Sequence, residues 1–247
     1  MEVHHHPIAT GSQTARRKWT HYFREFLMLF LAVFCGFLAE YQLEHTIEHQ
    51  REKQYAKQLL ADLRADSLFF AKRVGSMNGL MKKHQQFYQL MTQPVKPSDK
   101  DILSGCLPLL YTFDVLVTTA TYSQMKASGG LRYIKKENLT NVLQKYYEVL
   151  LPRVTRASDG EGTYYRNNID PFVLKYFRVQ DFDFVSDSVK TSDPIILNRT
   201  SQSDQELLNI IEGYAGSHKV IQERLTLPAI KTLNTLIDLL KKEYRLK

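Results

Sequence analysis

The sequence predicts an all-α protein: an N-terminal transmembrane helix that continues into a stalk, followed by a helical bundle domain. Three observations predict it. The run Phe26–Ala39 carries no charge and is apolar on every side of a helix. From Ala56 to Met91, apolar residues recur at a 4-3 spacing. Beyond Met91, stripes of helical period return between Pro- and Gly-bearing breaks, with one short strand-like run. A chain of 247 residues, 43% hydrophobic and 24% charged, can bury a sizeable core and is not disordered throughout.

The chain opens with His4-His5-His6-Pro7, which is short for a purification tag and offers at most weak metal binding. Residues 1–21 read as an N-terminal tail, with Arg16, Arg17 and Lys18 at its end. The uncharged run spans 14 residues, fewer than the ~20 needed to cross ~30 Å of hydrocarbon. Its flanks lengthen it. Trp19, Tyr22 and Phe23 precede it and Tyr41 follows it, as at membrane interfaces. A span of 22–43 is about 33 Å long at ~1.5 Å per residue, with Glu25 and Glu40 near the headgroups. Signal peptidase would meet large residues: Phe37 at −3 before Glu40, and Phe34 before a lipoprotein-type Cys35. The segment therefore reads as an uncleaved signal anchor. Arg16, Arg17, Lys18 and Arg24 before it outnumber Arg51, Lys53 and Lys57 after it, which makes the N-terminus cytoplasmic. In a bacterium this orientation implies the inner membrane and a periplasmic C-terminal domain.

Residues 44–247 read as the soluble part, with a stalk helix over 44–93 and a bundle over 98–247. No Pro or Gly separates the span from Glu44–Lys53, so the helix continues. The 4-3 seam is Ala56, Leu60, Leu63, Ser67, Phe70, Val74, Met77, Met81, His84, Tyr88 and Met91. Leu59, Phe69, Leu80 and Phe87 widen the stripe, which favours packing within a bundle over a two-stranded coil. Pro94 and Pro97 end the helix, and Ser98 caps the next. Residues 102–128 read as two short helices. Tyr111–Val117 alternates like a strand without a partner. Gly129-Gly130 makes a C-cap and turn. A long helix is expected over 136–157, bent at Pro152, then a turn at Asp159-Gly-Glu-Gly162, and a helix near 163–178. Asp181–Thr200 is irregular by composition. A last helical region runs from Ser203 to the C-terminus, interrupted near Pro228.

The charge of +7 is spread along the chain, and basic residues occur only in short pairs such as Lys82-Lys83 and Lys241-Lys242. Solvated helix faces explain these pairs, and no nucleic-acid stripe is formed. The two cysteines, Cys35 in the apolar run and Cys106 in the later domain, cannot meet, so packing alone holds the fold.

One motif has catalytic form. His45-Thr-Ile-Glu48-His49 matches H-x-x-E-H, in which i,i+4 histidines share a zinc and the glutamate acts as base. It lacks a recognisable third ligand and lies in a polar stalk, so a metal-dependent hydrolase here is a remote alternative. Asp181-Phe-Asp183-Phe-Val-Ser-Asp187 begins like a calcium loop but lacks the glycine at position 6. No P-loop, G-x-G-x-x-G, G-x-S-x-G or CxxC occurs. The sequence therefore assigns no catalytic, cofactor-binding or metal residues and no cofactor, and it reads as non-enzymatic.

Met1-Glu-Val-His-His-His6, Gly36-Phe-Leu-Ala-Glu40, Gln54-Tyr-Ala56, Leu60-Ala-Asp-Leu-Arg-Ala-Asp66 and Ser128-Gly-Gly-Leu-Arg-Tyr-Ile134 together carry a resemblance. The chain resembles a group of single-pass, membrane-anchored helical proteins of Bacteroidetes-type bacteria to which no activity is assigned. The resemblance implies the anchor and the helical domain, and no site residues. The expected partners are the lipid bilayer and a protein, or a second copy, engaged through the 56–91 seam. The alternative is a small-ligand or sensor domain whose pocket the 14 Tyr and 13 Phe would line.

Overall fold

The fold is that of a computed structural model. It describes every residue except 1–12, Phe113, Phe184, Asp187 and Lys247, with the backbone alone for 13–18 and Thr20. The chain divides into two units, Met1–Glu52 and Lys53–Lys247. It is all-α, with two strands of two residues each.

One helix, α1 (Gln13–Thr92), runs through the predicted span, the stalk and the seam. In the first unit its apolar side chains are exposed on every side: Tyr22, Phe26, Leu29, Phe34 and Phe37 all stand between 47% and 68% open. The helix is long and apolar enough to cross a membrane. Phe26, Phe30 and Phe34 stack in sequence on one side, with ring centroids 6.2 and 5.8 Å apart.

In the second unit α1 is the central helix. Its buried stripe reads Ala56, Leu59, Leu63, Asp66, Phe70, Arg73, Met77, Leu80, His84, Phe87. Six of the predicted seam positions are buried in this domain: Ala56, Leu60, Leu63, Phe70, Met77 and His84. At the alternate positions the buried residue lies one earlier: Asp66 for Ser67, Arg73 for Val74, Leu80 for Met81 and Phe87 for Tyr88. The seam is thus spent on the domain's own core. Each fully buried Leu or Phe adds about 1.5–3 kcal/mol.

Two apolar clusters form the core. One joins Ala56–Phe70 of α1 to Tyr122, Leu143, Tyr146 and Leu233. The other joins Met77–Phe87 to Ile102, Leu107, Phe172 and Tyr214. The chain travels between them four times. Helix α1 leads from the first cluster to the second, where α2 (Asp99–Cys106) packs. An irregular stretch returns to the first cluster at α3 (Ala120–Ala127). Helices α4 (Glu137–Gln144), α5 (Leu151–Tyr164) and α6 (Asp170–Tyr176) then form one continuous limb back to the second. Helices α7 (Ser201–Ile221) and α8 (Leu227–Tyr244) form the last limb, ending at the first cluster.

These two limbs are held together by π-helical turns over Lys145–Leu150, Tyr165–Ile169 and Gln222–Thr226. Each precedes a proline by two residues: Pro152, Pro171 and Pro228. A proline ring inside a helix clashes with the carbonyl four residues back. The wide turn moves that carbonyl aside, and the residue before each proline donates instead to the carbonyl five back, as Leu227 does to Gln222. The prolines therefore widen the helices where the sequence suggested a bend at Pro152 and an interruption near Pro228.

Other expectations meet the structure in mixed ways. Ser98 caps α2 in a reciprocal pair with Asp101, and Gly129 ends α3 at φ +69°. Thr200 and Ser203 form the same kind of box before α7. Tyr111–Val117 is not a strand; its described residues are irregular, and no neighbouring segment offers a ladder. Asp159-Gly-Glu-Gly162 is not a turn but the interior of α5. The intact α1, α5 and α7 bury Glu161 between them, and that tertiary contact overrides the turn composition. In the irregular 181–200 region β1 (Phe182–Asp183) pairs antiparallel with β2 (Ser188–Val189), and Ile196 bridges to Phe177.

Asp66 ties the first cluster together. Its Oδ1 accepts from the Thr118 amide at 2.8 Å and its Oδ2 from the Tyr146 hydroxyl at 3.3 Å. Asp62 accepts from Thr121 N at 3.3 Å. Two carboxylates of α1 thus face the amides at the start of α3, where a helix favours negative charge. We expect Asp66→Ala to cost about 2–3 kcal/mol, because it leaves a buried tyrosine hydroxyl and a loop amide without their acceptor. Urea denaturation of the full chain in detergent, followed by circular dichroism, measures it.

Candidate functional site

Among the described residues, four buried ionisable side chains gather between the two apolar clusters. Arg73 comes from α1, one turn after Phe70 of the first cluster and one before Met77 of the second. Glu161 comes from α5 and His218 from α7, each again in the gap between the clusters on its own limb. His84 joins them from α1. Arg73 is 6% exposed, His84 2%, Glu161 1% and His218 0%. Such groups are almost never fully buried unless paired.

Their geometry is that of a shared carboxylate. Arg73 Nη2 lies 3.8 Å from Glu161 Oε2, and His218 Nε2 lies 3.4 Å from Glu161 Oε1. Arg73 also donates from Nη1 to the Asp114 carbonyl at 3.3 Å. The His218 ring lies 5.7 Å from that of His84 and 4.1 Å from that of Tyr214. Tyr214 stacks on Tyr164 at 5.8 Å and donates to the Tyr111 carbonyl at 2.9 Å. Tyr164 donates to the Ile210 carbonyl at 3.2 Å. Its hydroxyl lies 2.8 Å from where a Cβ on Gly213 would stand, so a glycine there lets α5 and α7 approach.

Burial sets the charges. It pushes the Glu161 carboxyl up to about 7, against the pull of Arg73. It drives His84 down to about 4 and His218 down to about 3, the latter helped by His84 and Arg73. Both imidazoles are therefore neutral at pH 7, and the His218–Glu161 contact is dipolar, not an ion pair. Burial also lowers Arg73, which Glu161 opposes. Neither ring nitrogen of His84 meets a hydrogen-bond partner among the described residues.

A carboxyl near pH 7 beside neutral imidazoles has the components of an acid–base pair. An acid or base must also reach the proton it moves. Here all four side chains are closed to solvent, and the Arg73–Glu161–His218 contacts join α1, α5 and α7. Among the described residues no three His, Cys, Asp or Glu side chains stand together as a metal set.

The residues singled out in the sequence lie elsewhere. His45 and His49 are exposed on α1, with His49 Nδ1 3.4 Å from Glu52. Asp181 is buried and pairs with Arg178 at 3.3 Å, and Asp183 accepts from the amides of Val185 and Ser186 in the β1–β2 turn. Their carboxylates are used locally; Asp187 lies outside the described residues. So does His4–His6. Cys106 is fully buried, and burial pushes its thiol far up. Cys35 is exposed on the apolar helix.

The ionic cluster was missed in the sequence, although one signal was present. Read one residue earlier at alternate positions, the 4-3 stripe of α1 contains Asp66 and Arg73, and charges inside an apolar stripe demand buried partners. Glu161 was hidden in a turn-like composition, and His218 carried no local signal. Comparison of the chain with protein-family models, with curated proteins and with solved structures finds no match in any of the three.

The cluster gives stability a defined pH dependence. Above pH 6.5 both histidines are neutral folded or unfolded and contribute nothing. Below it, the unfolded chain takes two protons that the folded chain refuses until about pH 4 and 3. Glu161 acts oppositely: as pH falls through about 7 the folded carboxyl gains a proton that the unfolded one refuses down to 4.5. Between pH 6.5 and 4.5 the net is one proton favouring the unfolded state, a loss of about 1.4 kcal/mol per pH unit from this cluster. Glu161→Gln removes the opposing proton and steepens the fall by about 1.4 kcal/mol per unit relative to the parent. His84→Leu flattens it by the same amount. Urea titrations at pH 6.5, 5.5 and 4.5 read these differences.

Proposed function

We propose that this chain is a single-pass membrane protein of the bacterial envelope whose helical domain acts by binding a protein partner, not by catalysis. The observation that carries the reading is the helix over 22–43, whose apolar side chains are exposed all round. A soluble protein seldom exposes an apolar surface of that extent, and the aromatic residues at its two ends suit the interfacial zones. The large Phe37 at −3 before Glu40, and Phe34 before Cys35, support an uncleaved signal anchor. The basic residues before the span support a cytoplasmic N-terminus, an inner-membrane location and a periplasmic domain. The resemblance to the Bacteroidetes-type membrane-anchored group supports the same assignment.

The binding role rests on what the interior does with its reactive groups. Arg73, His84, Glu161 and His218 are closed to solvent, and among the described residues the exposed His45–His49 pair meets no third ligand. Because half of the 56–91 seam and its alternate neighbours lie in the domain's own core, a partner or a second copy docks on another surface.

Topology and anchoring are tested together. The full chain should stay with membranes through an alkaline carbonate wash and leave with detergent, whereas a chain lacking 22–43 should be soluble. Cys106 is buried and cannot report the side of the membrane. A cysteine introduced at exposed Ser192 should react with a membrane-impermeant maleimide in intact cells. Reaction only after lysis would reverse the orientation, and release by carbonate would remove the anchor. Crosslinking in intact membranes that recovers neither a partner nor a dimer would remove the binding role.

A further inference from the structure

We infer that the groove between α6 and α7 is a binding site for an extended, uncharged stretch of peptide, read through its main chain by side-chain carboxamides. The inference rests on the protein-binding reading above and names the surface that serves it.

The groove is open, with a volume of about 740 Å³, within the ~300–1,000 Å³ of ordinary ligand sites. Five of its ten lining residues are carboxamides: Asn167, Asn168, Gln202, Gln205 and Asn209. All five are exposed. Three of the chain's eight asparagines are here, so the lining is not a sample of the general surface. Its two charged residues are of opposite sign, Lys175 on α6 and Glu206 on α7. The Lys175 ammonium is held above its ordinary range chiefly by its contact with Tyr176, and to a smaller extent by the charge of Glu206. The groove therefore has no net charge and no preference for phosphate or for an acidic motif.

The carboxamides are arranged, not scattered. Gln202, Gln205 and Asn209 lie three and four residues apart along α7, on one face of the helix. Gln205 Nε2 donates to Asn209 Oδ1 at 2.9 Å, which orients both groups and leaves the Gln205 oxygen as acceptor and an Asn209 N–H as donor. Asn168 donates to the Tyr164 carbonyl at 3.0 Å, which leaves its own oxygen as acceptor. From Gln202 to Asn209 the helix rises about 10.5 Å, close to three residues of extended chain at ~3.3 Å each. A carboxamide carries the same donor and acceptor as a peptide group, so a row of them matches an extended main chain. Saccharides are also read by carboxamides, but they rest their C–H faces on exposed aromatic rings. The one aromatic in this lining, Phe172, is 5% exposed.

The floor beneath the row is packed core. Phe172 and Ile210 belong to or pack on the second apolar cluster. Tyr164, bonded to the Ile210 carbonyl, joins α5 to α7 directly below. Preorganised donors and acceptors lose little freedom on binding.

The test uses the full chain in detergent and a phage-displayed library of random dodecapeptides. Convergent sequences are synthesised and their affinities measured. The expected result is that Gln205→Ala with Asn209→Ala weakens binding at least tenfold. N-methylation of two central peptide amides should do the same. Asn234→Ala, an exposed carboxamide of α8 outside the groove, should leave affinity unchanged. All three substituted positions are exposed, and an unaltered melting curve separates lost binding from lost fold. The inference is overturned if no sequence converges, if the groove variants bind the peptides as well as the parent, or if N-methylation has no effect. It is also overturned if a tetramer of N-acetylglucosamine, and no peptide, binds in a groove-dependent way. Peptides that bind elsewhere would remove this site and keep the protein-binding role. The crosslinking experiment above tests that role separately.

Discussion

Three polar side chains in the buried stripe of α1 set the constraint on which the rest of the domain depends. Asp66, Arg73 and His84 alternate with Leu63, Phe70, Met77 and Phe87 at the same 4-3 spacing. An apolar stripe alone tolerates some sliding of one helix over another. A buried carboxylate or guanidinium does not, because a lost partner leaves a desolvated charge that costs several kcal/mol. Asp66 therefore fixes where α3 begins and where Tyr146 lies, and Arg73 fixes the level of Glu161 on α5. The surrounding leucines supply most of the favourable energy, and these polar contacts select one register from the packings the leucines would allow.

The limb from α4 to α6 shows how that register is kept across unfavourable sequence. Gly160, Gly162, Pro152 and Pro171 all lie in it, and each weakens a helix. A break at any of them would carry Glu161 away from Arg73. The wide turns keep the limb continuous by rerouting one backbone hydrogen bond at each proline. Gln222–Thr226 does the same beyond His218. A widened turn also shifts the faces that follow it.

This explains which parts were legible in the sequence. Capping at Ser98 and the stop at Gly129 depend on neighbours within a few residues, so composition was enough. The apolar run of α1 was legible for the same reason, since its exposure on all sides follows from having no polar face. Half of the seam was read at the right positions. At Val74 the stripe lies one residue late because Arg73 is charged and Val74 is apolar; Leu80 and Phe87, one before Met81 and Tyr88, already stand among the residues that widen it. Glu161 was lost because Asp-Gly-Glu-Gly is a turn by local preference and a helix only by long-range contact. The carboxamide groove could not be read at all, because Asn168 and Asn209 are brought together only by the packing of two limbs.

The division of polar groups within the domain bears on how it works. Arg73, His84, Glu161 and His218 are placed where solvent does not reach, and the carboxamides of the groove where it does. A hydrolytic or transfer enzyme needs the reverse arrangement, with its titrating groups at the wall of a cleft where a reacting atom can sit about 3 Å away. Placed inside, the Arg73–Glu161 pair costs desolvation and contributes chiefly by fixing geometry. Placed outside, carboxamides contribute hydrogen bonds without net charge, and those bonds are directional and insensitive to pH. The inner cluster joins α5 to α7, the helix that carries Gln202, Gln205 and Asn209 of the groove.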